Sequence, residues 1–403
     1  MTINVNLAGA NGTPSGYGGQ FALQSAISAY SDEAYTNARK LSGTGIVGGN
    51  PDIDVNTETF IGQVRWYKPL NPTIGVASLT DATAGTGTTY TSDFYTYVKT
   101  VRTHGAKKVN MQAVVTQEDG LAKIGRDFAE TRAQDEHNAI LSVLRGVALA
   151  EVLNGAGSGT GSAGSGGQTF SNDPTDKKFG FYVDLGAKIV TDASASNLGA
   201  VRAEGFLKAI GMGWKDYEPD YAYLVCSPEV LASLRSANLV DEDRVQDGNI
   251  MFQTIFDGKF RLIVTRANQG FTPTEITKLN TGAGAVDLTA SSKTSFLVLP
   301  GAIAMEALEV PDSVEIYRDG RAFNGGGATD IWHRWGYVAH PAGYNWRGVS
   351  DAFPSNADYE NCQESGVQKT ITTAASGLAA TLGNWERKST SALGLGILPI
   401  FHL

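Results

Sequence analysis

Thr116 to Gly155 is the stretch that most limits what this chain can fold into. It opens on Thr116-Gln117-Glu118-Asp119, a hydroxyl with a carboxylate three residues on, which is capping-box spacing. Glu118 and Asp119 suit the positive end of a helix, and Asn154-Gly155 supplies a left-handed stop. Between them Leu121, Ile124, Phe128, Ala133, His137, Ile140, Leu144, Val147 and Glu151 recur on one helical stripe. The spacing predicts one helix over 117–153, about 55 Å long at ~1.5 Å per residue, twice the usual length. Gly120, Gly125 and Gly146 each cost such a helix roughly 1 kcal/mol relative to Ala, so it is not built to stand alone. A long helix with a thin stripe is expected to lie across a sheet. No heptad is sustained, which weighs against a coiled coil.

The rest of the composition fits a protein whose surface is covered by contacts. Of 403 residues, 48 are glycine and 18% are charged, against a usual charged share of ~25%. A hydrophobic share of 42% supports a real core. The net charge of −9 argues against a sequence-independent grip on nucleic acid, which needs a basic footprint. Two cysteines, Cys226 and Cys362, are too few for a disulfide scaffold. The first residues carry no basic, apolar leader, and no run of 18 apolar residues exists. A soluble protein made in a cytosol is expected.

In chain order, residues 1–20 are rich in Gly, Asn, Ser and Thr, and Phe21 to Leu41 reads as a modest helix. From Thr59 to His104 the period changes to two: Phe60 to Tyr67 alternates, and so does Phe94 to Val101. Thr80 to Thr89 between them is Thr, Gly and Ala. This is one long hairpin with arms of about 50 Å, and a two-stranded ribbon alone is marginal in water, so something else must cover it. Seven glycines in residues 155–167 make a connector. An α/β unit follows over 181–302, with a helix at Leu198–Gly211 and strands at Tyr221–Cys226, Phe260–Thr265 and Ser295–Leu299. Within it Ser227-Pro228 caps a short helix running to Ala237. Strands at Val314–Arg318 and Ile331–His340 come next, then a polar, loop-like 351–384, and a last strand in the apolar tail Leu393–Phe401.

No chemistry-bearing motif emerges. Gly43-Thr44-Gly45-Ile46-Val47-Gly48 and Gly159-Thr160-Gly161-Ser162-Ala163-Gly164 match G-x-G-x-x-G, but neither sits between a strand and a helix, so neither backbone can cradle a pyrophosphate. The histidines His104, His137, His333, His340 and His402 form no zinc spacing. His137 beside Asp135 and Glu136 is read as packed, because neighbours one and two apart do not share a helix face. Trp332-His333-Arg334-Trp335-Gly336-Tyr337 could stack bases, yet the acidic balance favours a strand packed on the long helix. No catalytic, cofactor-binding or metal-ligating residue is assigned, and no cofactor.

The order of arm, hairpin, long helix, glycine-rich connector, α/β unit and return strands resembles the major capsid protein of tailed bacteriophages, the Hong Kong phage-type fold shared with herpesvirus shells. Three stretches carry the likeness: Asp220 to Pro228 with its helix, Trp335 to Trp346, and Asn384-Trp385-Glu386-Arg387. The resemblance implies an α+β fold with an N-arm over 1–58 and an extended hairpin, the E-loop, over 59–108. It implies a P-domain from 109–180, 303–340 and 385–403 that includes the spine helix 117–153. It implies an A-domain from 181–302 and 341–384. By the same resemblance the chain would be a virion shell protein with no catalysis. It would assemble with itself into hexamers and pentamers of an icosahedral head that encloses double-stranded DNA, beside scaffolding, portal and decoration proteins, and without a membrane. A bacterial encapsulin shell is the alternative in fold; an α/β enzyme or carbohydrate-binding module is the alternative from another class. Two departures stand out. The first helix begins near Phe21, leaving no room for a long cleaved scaffolding segment, and Thr80 to Thr89 lacks the lysine by which some relatives cross-link. Residues 1–58 and 59–108 are expected to be ordered only by neighbouring subunits.

Overall fold

A computed structural model describes residues 41–49, 53, 59–67, 92–109, 120–155, 183–184, 219–236, 238–247, 250–255, 258–265, 293–346, 353–360, 384–387 and 395–402. The expected helices at Phe21–Leu41 and Leu198–Gly211, the capping box, the hairpin tip and the glycine-rich connector beyond Gly155 lie outside them. In order, the described elements begin with a 3-10 turn at Leu41–Gly43, then β1 (Val47–Gly48), β2 (Ile61–Tyr67), β3 (Ser92–Val109) and helix α1 (Gly120–Gly155). There follow β4 (Val183–Asp184), β5 (Ala222–Cys226), helix α2 (Pro228–Ser236), β6 (Val240–Asp247), β7 (Ile250–Ile255), β8 (Phe260–Val264) and β9 (Lys293–Val298). The chain continues through β10 (Ile303–Leu308), β11 (Val314–Asp319), β12 (Ala328–Pro341), β13 (Tyr344–Trp346), helix α3 (Asn356–Glu360), β14 (Trp385–Arg387) and β15 (Ile397–His402). This is an α+β architecture.

The strands form two large sheets. The first has the order β1-β10-β12-β3-β2, with β11 also paired to β12. Its backbone is the antiparallel match of β3 with β12, from Val109 opposite Ala328 to Lys99 opposite Val338. The second has the order β4-β15-β9-β5-β8-β7-β6, with β5 and β8 parallel and α2 following directly on β5. All five β5 residues are buried, as a strand covered on both faces must be. Helix α2 starts as its sequence dictates: Pro228 is the first residue and the Ser227 hydroxyl accepts the Val230 N–H at 3.4 Å.

Helix α1 spans 36 residues and joins the two sheets. Ile140, Leu144 and Val147 are fully buried, as the stripe predicts. The thin stripe, however, holds only for the first half. From Ala139 to Glu151 every residue but Arg145 is buried, on all sides of the helix. Such a helix lies inside a core rather than on it. One continuous apolar cluster runs from Ile140, Leu144 and Val147 to Leu224, Phe296 and Ile400 of the second sheet and to Tyr337 and Ala339 of the first.

Several pairings and contacts run across the expected segments. Strand β15 was placed with the strands of 303–340, but it pairs with β9 and β4 in the second sheet, Ile397 opposite Val298 and Ile400 opposite Val183. Residues 341–346 and 353–360 were placed with 181–302, but β13 pairs with β14 and α3 packs on α1. Their glue is aromatic: Trp346 meets Tyr359 and Trp385 edge-on and the latter two stack, with centroids 4.9–6.2 Å apart. Leu41 and Ile46, in the segment expected to be ordered only by neighbours, belong to the main core, and the Ile303 N–H donates to Ile46 O at 3.2 Å. The loop-like reading of 351–384 also misses α3. Among the described residues no helix is long and apolar enough to cross a membrane.

Candidate functional site: the ribbon and its anchor on the long helix

One strand does two jobs. The second half of β3 is an inner strand of the first sheet, while its first half, Ser92 to Val98, pairs with β2 from Ile61 opposite Val98 to Tyr67 opposite Ser92. At ~3.3 Å per residue its 18 residues extend about 60 Å. The β2–β3 ribbon thus leaves the sheet as a direct continuation of it, and β3 carries any load on the ribbon into the core.

The root of the ribbon is fastened by polar groups. The Asp135 carboxylate of α1 accepts hydrogen bonds from Trp335 Nε1 at 3.1 Å and the Tyr337 hydroxyl at 3.0 Å, and lies 3.6 Å from Arg102 Nε of β3. One carboxylate thereby ties helix, β12 and β3 together. Arg102 also donates to Asn356 Oδ1 at 3.1 Å, and the Thr100 hydroxyl bonds the Tyr359 hydroxyl, which brings in α3. Nearer the ribbon, the Thr96 N–H donates to Asn345 Oδ1 at 2.6 Å. Burial, reinforced by the Asp135 charge, raises the Tyr337 phenol well above its ordinary value; burial pushes Tyr359 up to about 12. Both phenols therefore stay protonated at neutral pH and remain able to donate. The Tyr97 ring lies over Gly62, where a Cβ would sit 2.1 Å from it, so only glycine admits this cross-strand contact.

Apolar side chains are partly exposed along the ribbon, Phe60 and Ile61 at its root and Phe94 further out. Phe94 is 50% exposed, Phe60 44% and Ile61 36%, and Phe60 meets the exposed Phe353 edge-on at 4.8 Å. A second outward group, Tyr317, Phe323 and Trp332, lies at the other end of the sheet. Here the aromatic strand resolves by side: His333, Trp335 and Tyr337 turn to the helix, whereas Trp332 and Arg334 point away, Arg334 paired with Glu315. The sequence reading of a strand packed on the helix fits this arrangement. His137 is buried, with Nε2 3.1 Å from Thr265 Oγ1 of the second sheet. His340 packs against Tyr95 and Trp385. Burial pushes the Cys226 thiol up to about 12, leaving a protonated, enclosed sulfur. Among the described residues no three His, Cys, Asp or Glu side chains gather as metal ligands. Asp135 is the important residue that sequence reasoning passed over. Its only local signal is a carboxylate on the apolar side of a helix; its hydrogen-bond partners Trp335 and Tyr337 lie about 200 residues away.

Comparison with known proteins gives no matching family model and no matching curated protein. Among solved structures, the capsid of Helicobacter pylori bacteriophage KHP30 is similar at 11% identity with a TM-score of 0.45, covering 89% of this chain and 90% of that one. The head of Helicobacter pylori bacteriophage KHP40 is similar at 10% identity with a TM-score of 0.42, covering 89% of both chains. The capsid of Ralstonia phage GP4 is similar at 13% identity with a TM-score of 0.39, covering 75% of this chain and 84% of that one.

Proposed function

We propose that this chain is a shell subunit, a major capsid protein of the tailed-phage type, whose copies assemble through hexamers and pentamers into an icosahedral head enclosing double-stranded DNA. The observation that carries the reading is the β2–β3 ribbon. It continues a core strand that Arg102 ties to Asp135 of the helix, with Phe60, Ile61 and Phe94 partly exposed. A two-stranded ribbon with partly exposed aromatic side chains is marginal alone in water and gains stability when a neighbour covers it. An extended arm on each copy, reaching for the next, is how a single chain closes a large shell. The acidic chain contains DNA without gripping it, since phosphate binding depends on counterion release to Lys or Arg. The role is structural, and scaffolding, portal and decoration proteins would meet the same shell. Electron microscopy and light scattering of the purified protein test this: closed particles are expected, and a monodisperse monomer or dimer at all concentrations would overturn it. The absorbance ratio of filled particles separates a DNA head from a protein-loaded compartment.

A further inference from the structure

The outer corner of the first sheet has its own small core, distinct from the main one. It consists of Phe128 of α1 with Val314, Ile316 and Ile331, and Ala106 and Ile124 pack at its margin. Two histidines close it on the side of the main core. His104 and His333 stand directly opposite in the β3–β12 register, and Val314 opposes His333 on the other edge. Both rings meet Phe128, His104 edge-on at 5.5 Å and His333 stacked at 5.3 Å and 13°. His333 also stacks on Trp335 at 5.3 Å. It is 5% exposed, and its Nδ1 is buried with no hydrogen-bond partner.

We propose that this histidine pair is an acid-labile lock, which holds the corner formed by β11 and the start of β12 onto the helix at neutral pH and releases it in mild acid. An imidazolium must donate from both ring nitrogens, and at His333 one of them has no acceptor. Every neighbour bears on the result. From α1 comes Arg132, held at 3.2 Å by the buried Glu136, and Asp135, already engaged by Trp335, Tyr337 and Arg102. From β3 come His104 and Arg102; from β11, apolar Val314 and Ile316. The Phe128 and Trp335 faces attract a cation weakly, but burial, Arg132 and His104 oppose it. Together these, burial foremost, lower His333 from 6.5 to about 4. The sign follows. The open corner takes up a proton near 6.5 and the closed one only near 4, so closure is fully favoured above 6.5 and is lost tenfold per pH unit as pH falls through that window. The lock rests on the fold alone and stands or falls independently of the shell reading.

Hydrogen exchange on the full chain, corrected for intrinsic rates, tests it. Between pH 7 and pH 4 the protection of amides in 314–319 and 328–335 is expected to fall by roughly 100-fold relative to those of 222–226. His333→Phe keeps the stacking without the titration, and His333→Gln keeps a neutral polar group; either is expected to flatten the decline to within a few fold. Corner protection that tracks 222–226 down to pH 4 in the wild type would overturn the lock. A wild-type decline that persists in both variants would overturn it equally.

Discussion

Gly146 is the position where structure reverses the sign that helix propensity alone gives. In an isolated helix Gly146→Ala gains about 1 kcal/mol. In the folded chain, an added Cβ would sit 2.0 Å from the Tyr359 carbonyl oxygen and 2.8–2.9 Å from the Trp385 indole. Ordinary contact begins near 3.4 Å, so helix and carbonyl must part by more than 1 Å. That carbonyl is not free to move. It accepts the Trp385 Nε1–H at 3.0 Å, the Tyr359 ring stacks on Trp385 at 11°, and the Asp358 carbonyl accepts from Asn384 at 2.8 Å. Overpacking of this kind costs about 1–3 kcal/mol, and leaving a buried hydrogen-bond partner unsatisfied costs about 1–3 more. Set against the propensity gain, Gly146→Ala is expected to destabilise the subunit by roughly 3 kcal/mol. Urea unfolding of dispersed subunits, followed by tryptophan fluorescence, reads this directly, because Trp385 is 1% exposed in the fold. A midpoint unchanged, or raised by the propensity gain, would refute the close approach of α3 to the helix.

Two further substitutions probe the core and the ribbon separately. Leu144→Ala removes a side chain with no exposed surface from the middle of α1 and is expected to cost ~2–5 kcal/mol in the same urea assay; an unchanged midpoint would mean the helix phase is wrong. Phe94→Ser alters a half-exposed ribbon residue, so subunit stability should stay within ~0.5 kcal/mol while particle yield in sedimentation drops; normal shells from this variant would remove the ribbon from assembly.

What the sequence made legible is local. Helix α1 could be read because its apolar positions repeat over 30 residues, and α2 because Ser227-Pro228 is a complete start signal. Strands β3 and β12 showed themselves by alternation. The β6–β7 hairpin did not, because Asp241-Glu242-Asp243-Arg244 reads as a polar loop; such charge is tolerated where β6 forms the edge of its sheet. Helix α3 was hidden for a related reason: its five residues are polar but for Ala357 and Tyr359, and only Tyr359 is buried.

What stayed illegible is the pairing of distant parts. Alternation says that Ile397–His402 is a strand, but not that β9, a hundred residues earlier, is its partner. Order along the chain does not name that partner; hydrogen bonding places the last strand beside β9 in the second sheet. The consequence is mechanical. With β15 in one sheet, β14 beside the other, and α1 buried between partners from both, the two sheets share a single apolar core. A hinge between them would have to open that core, so relative motion of two loosely joined domains is disfavoured. Compliance is left to what lies outside the shared core: the β2–β3 ribbon, and the corner closed by His104 and His333 over its separate small cluster.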